Sequence, residues 1–539
     1  MEIVQSPNIL NWYPFNKEQK VLEIGIKSEE LTNFLRKKCS RVQKVSKIDE
    51  LENITEKFNI IILIGLNNYE KLILKNLIIK LEKFLKVDGK ILLAVDNKFG
   101  LKFWNGNPEN IFGKKFASLI GYNNEPEKIE TYTKKYIEKI LKEIGYNTRF
   151  YYPLPDYKLP NVIFTDEQLP VYNSIDKYNP YFLKNSDILF NEIDVFREIL
   201  KTNKEMFTFF ANSFLIEITK SECDKTYKYI SFNNMRKKKY QLITKISDTY
   251  VEKQIAHEEA IKHYDNLEKN LHILQKNGIK TLDYIDGDKI KSKYMEQKYL
   301  LNNILTEKLE NGQVEEFESI INNYIKAITI EPYKEKDYDK TVFGKYGVDV
   351  EEKNIIQDLN FMENGLWDMT FKNCFMIDNE FYFFDQEWNE TNLPVEYILY
   401  RAIVYTISLR RFISIEKLFD KYKLRPYLSM FEELDNKIQE KIRDNAEWEF
   451  YSQNHDFNID ETKQELNNLQ LRSNAQQTEI KNLNERFKAQ QLENCNLKET
   501  NKQLIDEINN ISKENEKLQN KINNTFYNKV KRKIKKIIK

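Results

Sequence analysis

Glycine and proline are scarce in this chain, which has 14 glycines and 12 prolines among 539 residues. Both shares lie far below the usual values of roughly 7% and 5%, which excludes collagen-like chains and Gly/Pro-rich disorder. Cysteine is also rare, and the residues present are too scattered for a disulfide framework or a paired-cysteine metal site. They are Cys39, Cys223, Cys374 and Cys495. A reducing compartment is therefore expected.

Long apolar runs are missing as well. The longest, at residues 60–66, is far shorter than the ~18 residues that a membrane-spanning helix needs. The first residues lack the pattern of a signal peptide, so the chain is expected to be cytoplasmic, with membrane contact only at the inner surface of the plasma membrane.

No charge of one sign dominates, because 84 Lys and Arg face 83 Asp and Glu. Nucleic acid is therefore not an expected partner.

Residues 1–190 alternate between apolar strands and helical patterns. The segments KVLEIG (20–25), NIIILIG (59–65) and GKILLAV (89–95) are typical of buried strands. Helical spacing lies between them, and Thr133 is placed to cap a further helix. This alternation predicts a mostly parallel sheet with helices on both faces.

Residues 462–525 contain neither glycine nor proline, and eleven of the eighteen a and d positions of an unbroken heptad pattern are apolar. The pattern predicts a coiled coil of about nine heptads, which follows a helical connector at 431–461. Asn494, Asn501 and Asn515 at a positions favour a parallel homodimer in one register. A single solvated helix is the alternative.

The tail at 526–539 ends in KVKRKIKKIIK, in which seven Lys and Arg surround four apolar residues on one helical face. Such a segment can lie in the headgroup plane of an anionic bilayer, which makes an anionic membrane surface an expected partner. The alternatives are a nucleic-acid-binding arm, a solvated end of the coiled coil, and a docking peptide for a glycosyltransferase.

The stretch VLEIGIKSEELTNFL resembles motif I of the class I S-adenosylmethionine-dependent methyltransferases, in which an acid precedes three spaced glycines. Glu23 and Gly25 match this motif, whereas Lys27 and Glu29 stand at the second and third glycine positions. Glycines at these positions let the backbone approach the cofactor. The departures imply a degenerate domain that does not bind S-adenosylmethionine.

A second departure concerns the next strand, VQKV (42–45), which is followed by Ser46 where the family places an acid for the ribose. Only about a dozen residues then precede NIIILIG, too few for a full crossover and a further strand. The segments NILNWYPF (8–15), 96–116 and 151–170 nevertheless resemble methyltransferase domains of bacterial surface-polysaccharide gene clusters. That resemblance covers nearly all of residues 1–190.

The segment GLWDMTFKNCFMIDNEFYFFDQEW (365–388) spaces Asp368 and Asn373 as D-x4-N and ends in D-x-E at Asp385 and Glu387. Phosphoryl transfer needs one carboxylate for the proton of the attacking hydroxyl, and an Asn and a second carboxylate for Mg²⁺. Spacing and order are similar to those of the protein-kinase-like superfamily, and the D-x-E ending resembles choline and aminoglycoside kinases. The resemblance implies that Asp368 is the base and that Asn373 and Asp385 bind the metal.

The same resemblance assigns further residues of the middle domain, at 195–430, to ATP. Lys253 ends a strand before a helix and would pair with the phosphates. Its acidic partner would be Glu268, with Glu258 and Glu259 left open, and Glu296 would lie in the hinge that meets adenine. ATP and Mg²⁺ are the expected cofactors.

Two features near Lys253 stand outside the motif. Instead of a glycine-rich loop, the basic segment SFNNMRKKKYQ (231–241) lies between the first two strands of this domain. His257 and His263 sit on a charged helix, where we expect them to be solvated.

The order of parts resembles bacterial enzymes that terminate O-antigen polysaccharide chains. It implies a multidomain chain: an α/β Rossmann-like methyltransferase-type domain, an α+β protein-kinase-like domain and a long parallel coiled coil. The expected function is ATP-dependent phosphorylation of a sugar hydroxyl on a surface glycan, with the glycan and a glycosyltransferase as partners. The alternatives are an active S-adenosylmethionine-dependent methyltransferase and a non-catalytic dimeric scaffold for glycosyltransferases.

Overall fold

The computed structural model describes most of the chain up to residue 444 and parts of the region beyond it. The described residues are 6–65, 74–109, 113–121, 132–172, 174–178, 189–333, 336–350, 353–444, 469–473, 476–477, 480–481, 505, 507–522 and 525.

Twelve strands form one large sheet, and four more form two short ladders. The strands are β1 (Lys20–Ile24), β2 (Arg41–Val45), β3 (Phe58–Ile64), β4 (Leu85–Asp96), β5 (Asn147–Leu154), β6 (Val162–Thr165), β7 (Ser213–Thr219), β8 (Tyr229–Phe232), β9 (Leu242–Ile246), β10 (Tyr250–Ile255), β11 (Asp283–Asp286), β12 (Lys289–Lys293), β13 (Phe361–Gly365), β14 (Cys374–Ile377), β15 (Glu380–Phe383) and β16 (Glu390–Pro394). The order across the large sheet is β11-β12-β10-β9-β8-β6-β5-β7-β4-β3-β1-β2.

The helices pack on this sheet and build the region that follows it. They are α1 (Glu29–Lys38), α2 (Leu74–Glu82), α3 (Leu101–Trp104), α4 (Ala117–Ile120), α5 (Lys134–Glu143), α6 (Glu192–Thr202), α7 (Met206–Phe210), α8 (Ile261–Lys276), α9 (Leu301–Glu310), α10 (Val314–Ile328), α11 (Val342–Tyr346), α12 (Val395–Val404), α13 (Ile415–Lys421) and α14 (Leu428–Ile442). Among the described residues, no helix is long and apolar enough to cross a membrane.

The predicted strands of the first region are confirmed as β1, β3 and β4, and the predicted cap of α5 is confirmed because Thr133 accepts the Tyr136 N–H. Only a 3-10 turn at Ile48–Asn53 joins β2 to β3, so no further strand fits there. The prediction of a mostly parallel sheet for residues 1–190 holds for β1 to β4 and is wrong for β5 and β6, which pair antiparallel. Only β1 to β4 pair in parallel, because the later strands return through connections that pair them antiparallel.

The first unit also extends beyond the predicted boundary at residue 190. Strand β7 lies between β4 and β5, so this unit runs from residue 6 to residue 219. We call it the first unit, and we call residues 229–442 the second unit. A local pattern could not place β7, because its neighbours lie more than sixty residues earlier in the chain.

The two units share one sheet and part of one core. Strand β6 of the first unit pairs antiparallel with β8 of the second, with Ile163 opposite Ile230. Ile9 and Trp12, from the segment before β1, lie in the same buried cluster as Ile230 and Ile243. Burying a side chain of this size contributes about 1.5–3 kcal/mol. The second unit therefore depends on the first for one edge of its sheet and for part of its apolar cover.

Most of the predicted coiled coil at 462–525 lies outside the described residues, and the described part includes one contact that a single straight helix cannot make. Ser473 Oγ lies 3.1 Å from Asn515 Oδ1, and both side chains are buried. A straight helix would separate these residues by about 63 Å, at ~1.5 Å for each of 42 residues. The two segments therefore lie side by side within one chain. Residues 445–468, most of the connector, and the tail at 526–539 lie outside the described residues, and the parallel dimer stays a prediction.

Candidate active site

The β14–β15 hairpin and the turns at its base bring together the three residues that were predicted from the D-x4-N and D-x-E spacing. The backbone carbonyl of Asp368 accepts hydrogen bonds from Asn373 Nδ2 at 3.0 Å and from Gln386 Nε2 at 3.3 Å. The carbonyl of Asn373 accepts the N–H of Phe384 at 3.1 Å. These bonds tie the segment after β13 to the end of β15, so Asp368, Asn373 and Asp385 are neighbours.

Asp385 follows β15 in an unusual backbone conformation. Its φ is +58°, in the left-handed region that residues other than glycine rarely adopt. Its N–H donates to Asp283 Oδ2 at 3.0 Å, which fixes the turn from the direction of β11. Strained residues of this kind are concentrated at binding and catalytic sites, and the turn presents a carboxylate that is one-third exposed.

Lys253, on β10, reaches this turn. Its Nζ lies 2.7 Å from Asp385 Oδ1 and 3.1 Å from Glu387 Oε1. The other oxygen of Glu387 forms an ion pair with Arg236 and lies 3.3 Å from His263 Nε2. We call these five residues the charged cluster. Arg236 comes from the basic segment between β8 and β9, which occupies the position of the missing glycine-rich loop.

Burial and neighbouring charges set the pKa values in the charged cluster. Burial alone would raise the pKa of Glu387, but Arg236 and Lys253 hold it well below its ordinary value. Burial raises the pKa of Asp385, with Lys253 opposing and Glu387 adding to the rise. Of the two acids that face Lys253, Glu387 is therefore the one that holds its negative charge more firmly.

Burial also raises the pKa of Asp368, although Lys372 and Arg401 oppose the change. The side chain lies beneath the loop and is mostly buried. A carboxylate with a raised pKa takes up a proton more readily than an exposed one, which suits a general base.

Three predictions near Lys253 need correction. Glu268 is half exposed on α8 and faces His272 at 3.8 Å, so the acids that meet Lys253 are Asp385 and Glu387. Glu258 pairs instead with Lys37 of the first unit. His263 is buried rather than solvated, because α8 turns it towards Glu387 and the ring of Trp388, 4.4 Å away.

Glu296 lies between β12 and α9, where the hinge was predicted, but its side chain is exposed and pairs with Lys298 at 2.8 Å. The Glu296 side chain therefore faces solvent and contacts none of the residues of the charged cluster. Glu387 could be identified as a candidate site residue from the D-x-E motif. Arg236 could not, because no local signal distinguishes it from the basic residues around it.

A cavity of about 130 Å³ is lined in part by Glu387, and Lys253 is not among its lining residues. Its walls include Tyr240, His263, Trp388 and Glu390. Glu390 is held by Lys345 and by the hydroxyl of Tyr346, so its charge is already paired.

Ion pairs lie beside the motif I turn of the first unit. Gly25 keeps the left-handed turn of the motif, with φ of +71°. Glu29, at the third glycine position, reaches Lys44 on β2 at 2.8 Å, and Lys44 also lies 3.8 Å from Glu23. Glu23 is buried and accepts a hydrogen bond from Thr32 at 2.6 Å.

The position of the expected ribose-binding acid is also occupied differently. The N–H of Ser46 donates to Glu50 Oε2 at 3.0 Å, so this turn is satisfied within the chain. With Lys44 beside it, the end of β2 presents a cation that is paired with Glu29.

Any metal site near the charged cluster would use few ligands from the protein. Among the described residues, no group of three His, Cys, Asp or Glu side chains is arranged to hold a metal ion. Mg²⁺ is commonly bound by one or two carboxylates together with substrate phosphates. Asp385 and Asn373 fit that smaller set.

No protein-family model and no curated protein matches this chain. Among solved structures, an S-adenosylmethionine-dependent methyltransferase from Archaeoglobus fulgidus aligns with 40% of this chain and 94% of its own, at 13% identity and a TM-score of 0.23. The YcgJ protein from Bacillus subtilis aligns with 40% of this chain and 98% of its own, at 12% identity and a TM-score of 0.19. The plantazolicin methyltransferase BpumL, in complex with SAH and a triazolic desmethylPZN analog, aligns with 40% of this chain and 83% of its own. The identity is 11% and the TM-score is 0.21.

The chain thus combines a multidomain α/β architecture and a large mixed sheet with methyltransferase-like neighbours over 40% of its length. At TM-scores this low the likeness carries no argument about activity, cofactor or substrate. Any proposal about function therefore rests on the side chains of the site.

Proposed function

We propose that the second unit transfers a phosphoryl group from ATP to a hydroxyl group. The observation that carries this proposal is the contact of Lys253 Nζ with Asp385 Oδ1 at 2.7 Å, at the turn that also adjoins Asp368 and Asn373. A lysine, an asparagine and two carboxylates in this order are the parts that phosphoryl transfer requires.

Asp368 would act as the base. Its carboxylate takes the proton of the acceptor hydroxyl as the hydroxyl oxygen bonds to the γ-phosphorus. The bond from that phosphorus to the bridging oxygen breaks, and ADP leaves. The raised pKa of Asp368 favours this uptake of a proton.

Lys253 and Arg236 would hold the phosphates by their positive charge. Both are already placed by Glu387, which is buried and ion-paired with each of them. Asp385 and Asn373 would hold Mg²⁺, which neutralises charge on the phosphates when it is bound. The one-third exposure of Asp385 leaves its carboxylate accessible for that purpose.

The acceptor in this proposal is a sugar hydroxyl of a bacterial surface glycan, at the cytoplasmic face of the membrane. The support is the resemblance of the segments at 8–15 and 151–170 to proteins of polysaccharide gene clusters, together with the basic tail. A homodimer, a glycosyltransferase partner and attachment to anionic lipid through 526–539 belong to the same proposal.

The first unit has no methyl-transfer role in this proposal. Binding of S-adenosylmethionine would have to displace the Glu29–Lys44 ion pair beside the motif I turn. The role of this unit is to complete the sheet and the core of the second unit, through the pairing of β6 with β8.

The test is Mg²⁺-dependent release of ADP from ATP, with a panel of methyl hexopyranosides as acceptors. Wild-type protein should release ADP, and Asp368→Asn and Asp385→Ala should lose at least about 100-fold in rate, the lower end of the range for a general base. Asp378→Asn is the matched control, because this exposed Asp lies in the β14–β15 hairpin, away from the charged cluster. Wild-type rates in Asp385→Ala would refute the proposal.

A further inference from the structure

The backbone of Asp368 is fixed by its loop, but its carboxylate has to be oriented from another direction. The side chain is mostly buried, and Arg401 Nη2, on α12, lies 3.8 Å from Asp368 Oδ1. This is the distance of an ion pair without close hydrogen bonding, so a small movement would bring the two groups together.

Arg401 is itself held rigidly. Its side chain is almost fully buried, and its guanidinium lies 4.4 Å from the centre of the Trp367 ring, which precedes Asp368. A second ring, of Tyr405, lies 4.8 Å away. Stacking of this kind suits the planar guanidinium and fixes the direction of its N–H groups.

Asp435, on α14, supplies the counter-charge. It forms an ion pair with Arg401 Nη1 and accepts hydrogen bonds from the hydroxyl groups of Tyr397, at 2.9 Å, and Tyr405. Three donors on one buried carboxylate leave Asp435 little freedom. Arg401 Nε has no hydrogen-bond partner among the described residues, so the guanidinium is not saturated by Asp435.

We infer that Asp435 and Arg401 are positioning residues that orient the carboxylate of Asp368 for removal of a proton from the acceptor hydroxyl. This inference rests on the proposed function and adds two residues that neither the D-x4-N nor the D-x-E spacing contains. Asp435 fixes Arg401, and Arg401 presents its second nitrogen to Asp368. The planar guanidinium directs separate nitrogens to the two carboxylates, a fixed geometry that the compact ammonium group of a lysine does not reproduce.

The arrangement predicts that loss of Arg401 lowers kcat without changing the KM for ATP. Arg401 contacts Asp368 but makes none of the ion pairs of Lys253 or Asp385. Its loss should therefore slow the chemical step and leave the KM for ATP within twofold of the wild-type value. A misplacement of about 1 Å at a reacting group can slow a reaction about 100-fold.

The experiment measures kcat and KM for ATP by ADP release, with the melting curve of each variant. Arg401→Gln should lower kcat about 100-fold, and Arg401→Lys and Asp435→Asn about 10-fold, because each keeps part of the arrangement. Arg425→Lys is the control, since Arg425 forms an ion pair with Asp420 that is exposed and remote from Asp368. It should change neither constant.

The outcomes separate this inference from the function on which it rests. A wild-type protein that releases no ADP refutes the proposed function, and this inference with it. An active wild type with a kcat for Arg401→Gln within twofold refutes the inference alone, as does a parallel change in kcat and KM. If Arg401→Lys and Asp435→Asn both lose the folded transition, the pair is structural and the inference is wrong.

Discussion

Replacing Glu387 by glutamine tests how the charged cluster is held together. The wild-type cluster sets two positive charges, from Arg236 and Lys253, against two negative ones, from Asp385 and Glu387. Glu387→Gln keeps the shape but removes one negative charge from a side chain that is 2% exposed. Removing one member of a buried ion pair costs about 3–5 kcal/mol, because the remaining charge is left without its partner.

The expected loss is large compared with a total stability of about 5–15 kcal/mol. For a unit of roughly 200 residues, each kcal/mol shifts Tm by about 2–4 °C, so Glu387→Gln should lower Tm by about 6–20 °C. Thermal unfolding followed by circular dichroism measures this directly. Glu380→Gln is the control, since Glu380 forms an exposed pair with Lys280 and should leave Tm unchanged.

The pH dependence of the Tm difference between wild type and Glu387→Gln is a second test of this ion pairing. The pKa of Glu387 is lowered in the folded state, so its contribution is fully present above the unfolded value of about 4.3 and is lost as pH falls through the folded value. The gap in Tm between wild type and Glu387→Gln should therefore be constant from pH 8 to pH 5 and narrow only in more acid solution. A gap below 2 °C at pH 7 would refute the reasoning.

Three further predictions concern other parts of the chain. Calorimetric titration should show no micromolar binding of S-adenosylmethionine, because Lys27 and Glu29 replace two motif glycines and Glu29 pairs with Lys44 beside the turn; such binding would overturn the account of the first unit. A chain with both Ser473→Cys and Asn515→Cys should form a crosslink within one chain that the single variants lack, whereas crosslinking of Ser473→Cys between two chains would contradict the side-by-side contact. Full-length protein should float with anionic but not neutral vesicles at low salt, since basic residues near such a surface contribute about 1 kcal/mol each; a chain lacking 526–539 that still floats would exclude the tail as the anchor.

Much of the fold could be predicted from local sequence patterns. The apolar runs of β1, β3 and β4 and the cap at Thr133 are signals contained within a few residues, and the structure has these elements where they were predicted. The proximity of Asp368, Asn373 and Asp385 also follows from short spacings, because the β14–β15 hairpin returns the chain to the segment that holds Asp368 and Asn373.

The remainder depends on contacts between distant parts of the chain. The insertion of β7 between β4 and β5 is a pairing across long loops, which no local pattern specifies. The choice of Glu387 rather than Glu268 as a partner of Lys253 depends on how α8 is rotated against the turn after β15. The same rotation buries His263, although its neighbours along the helix are charged.

The continuous sheet has a consequence for how this chain can change over generations. The motif I positions take no part in the pairing of β6 with β8, so that pairing places no constraint on their substitution. Loss of β6 would instead expose the backbone groups of β8 as an open edge, which invites association with other chains. The first unit can thus be retained as structural support for the second, and we expect a chain limited to residues 229–442 to associate through the exposed edge of β8.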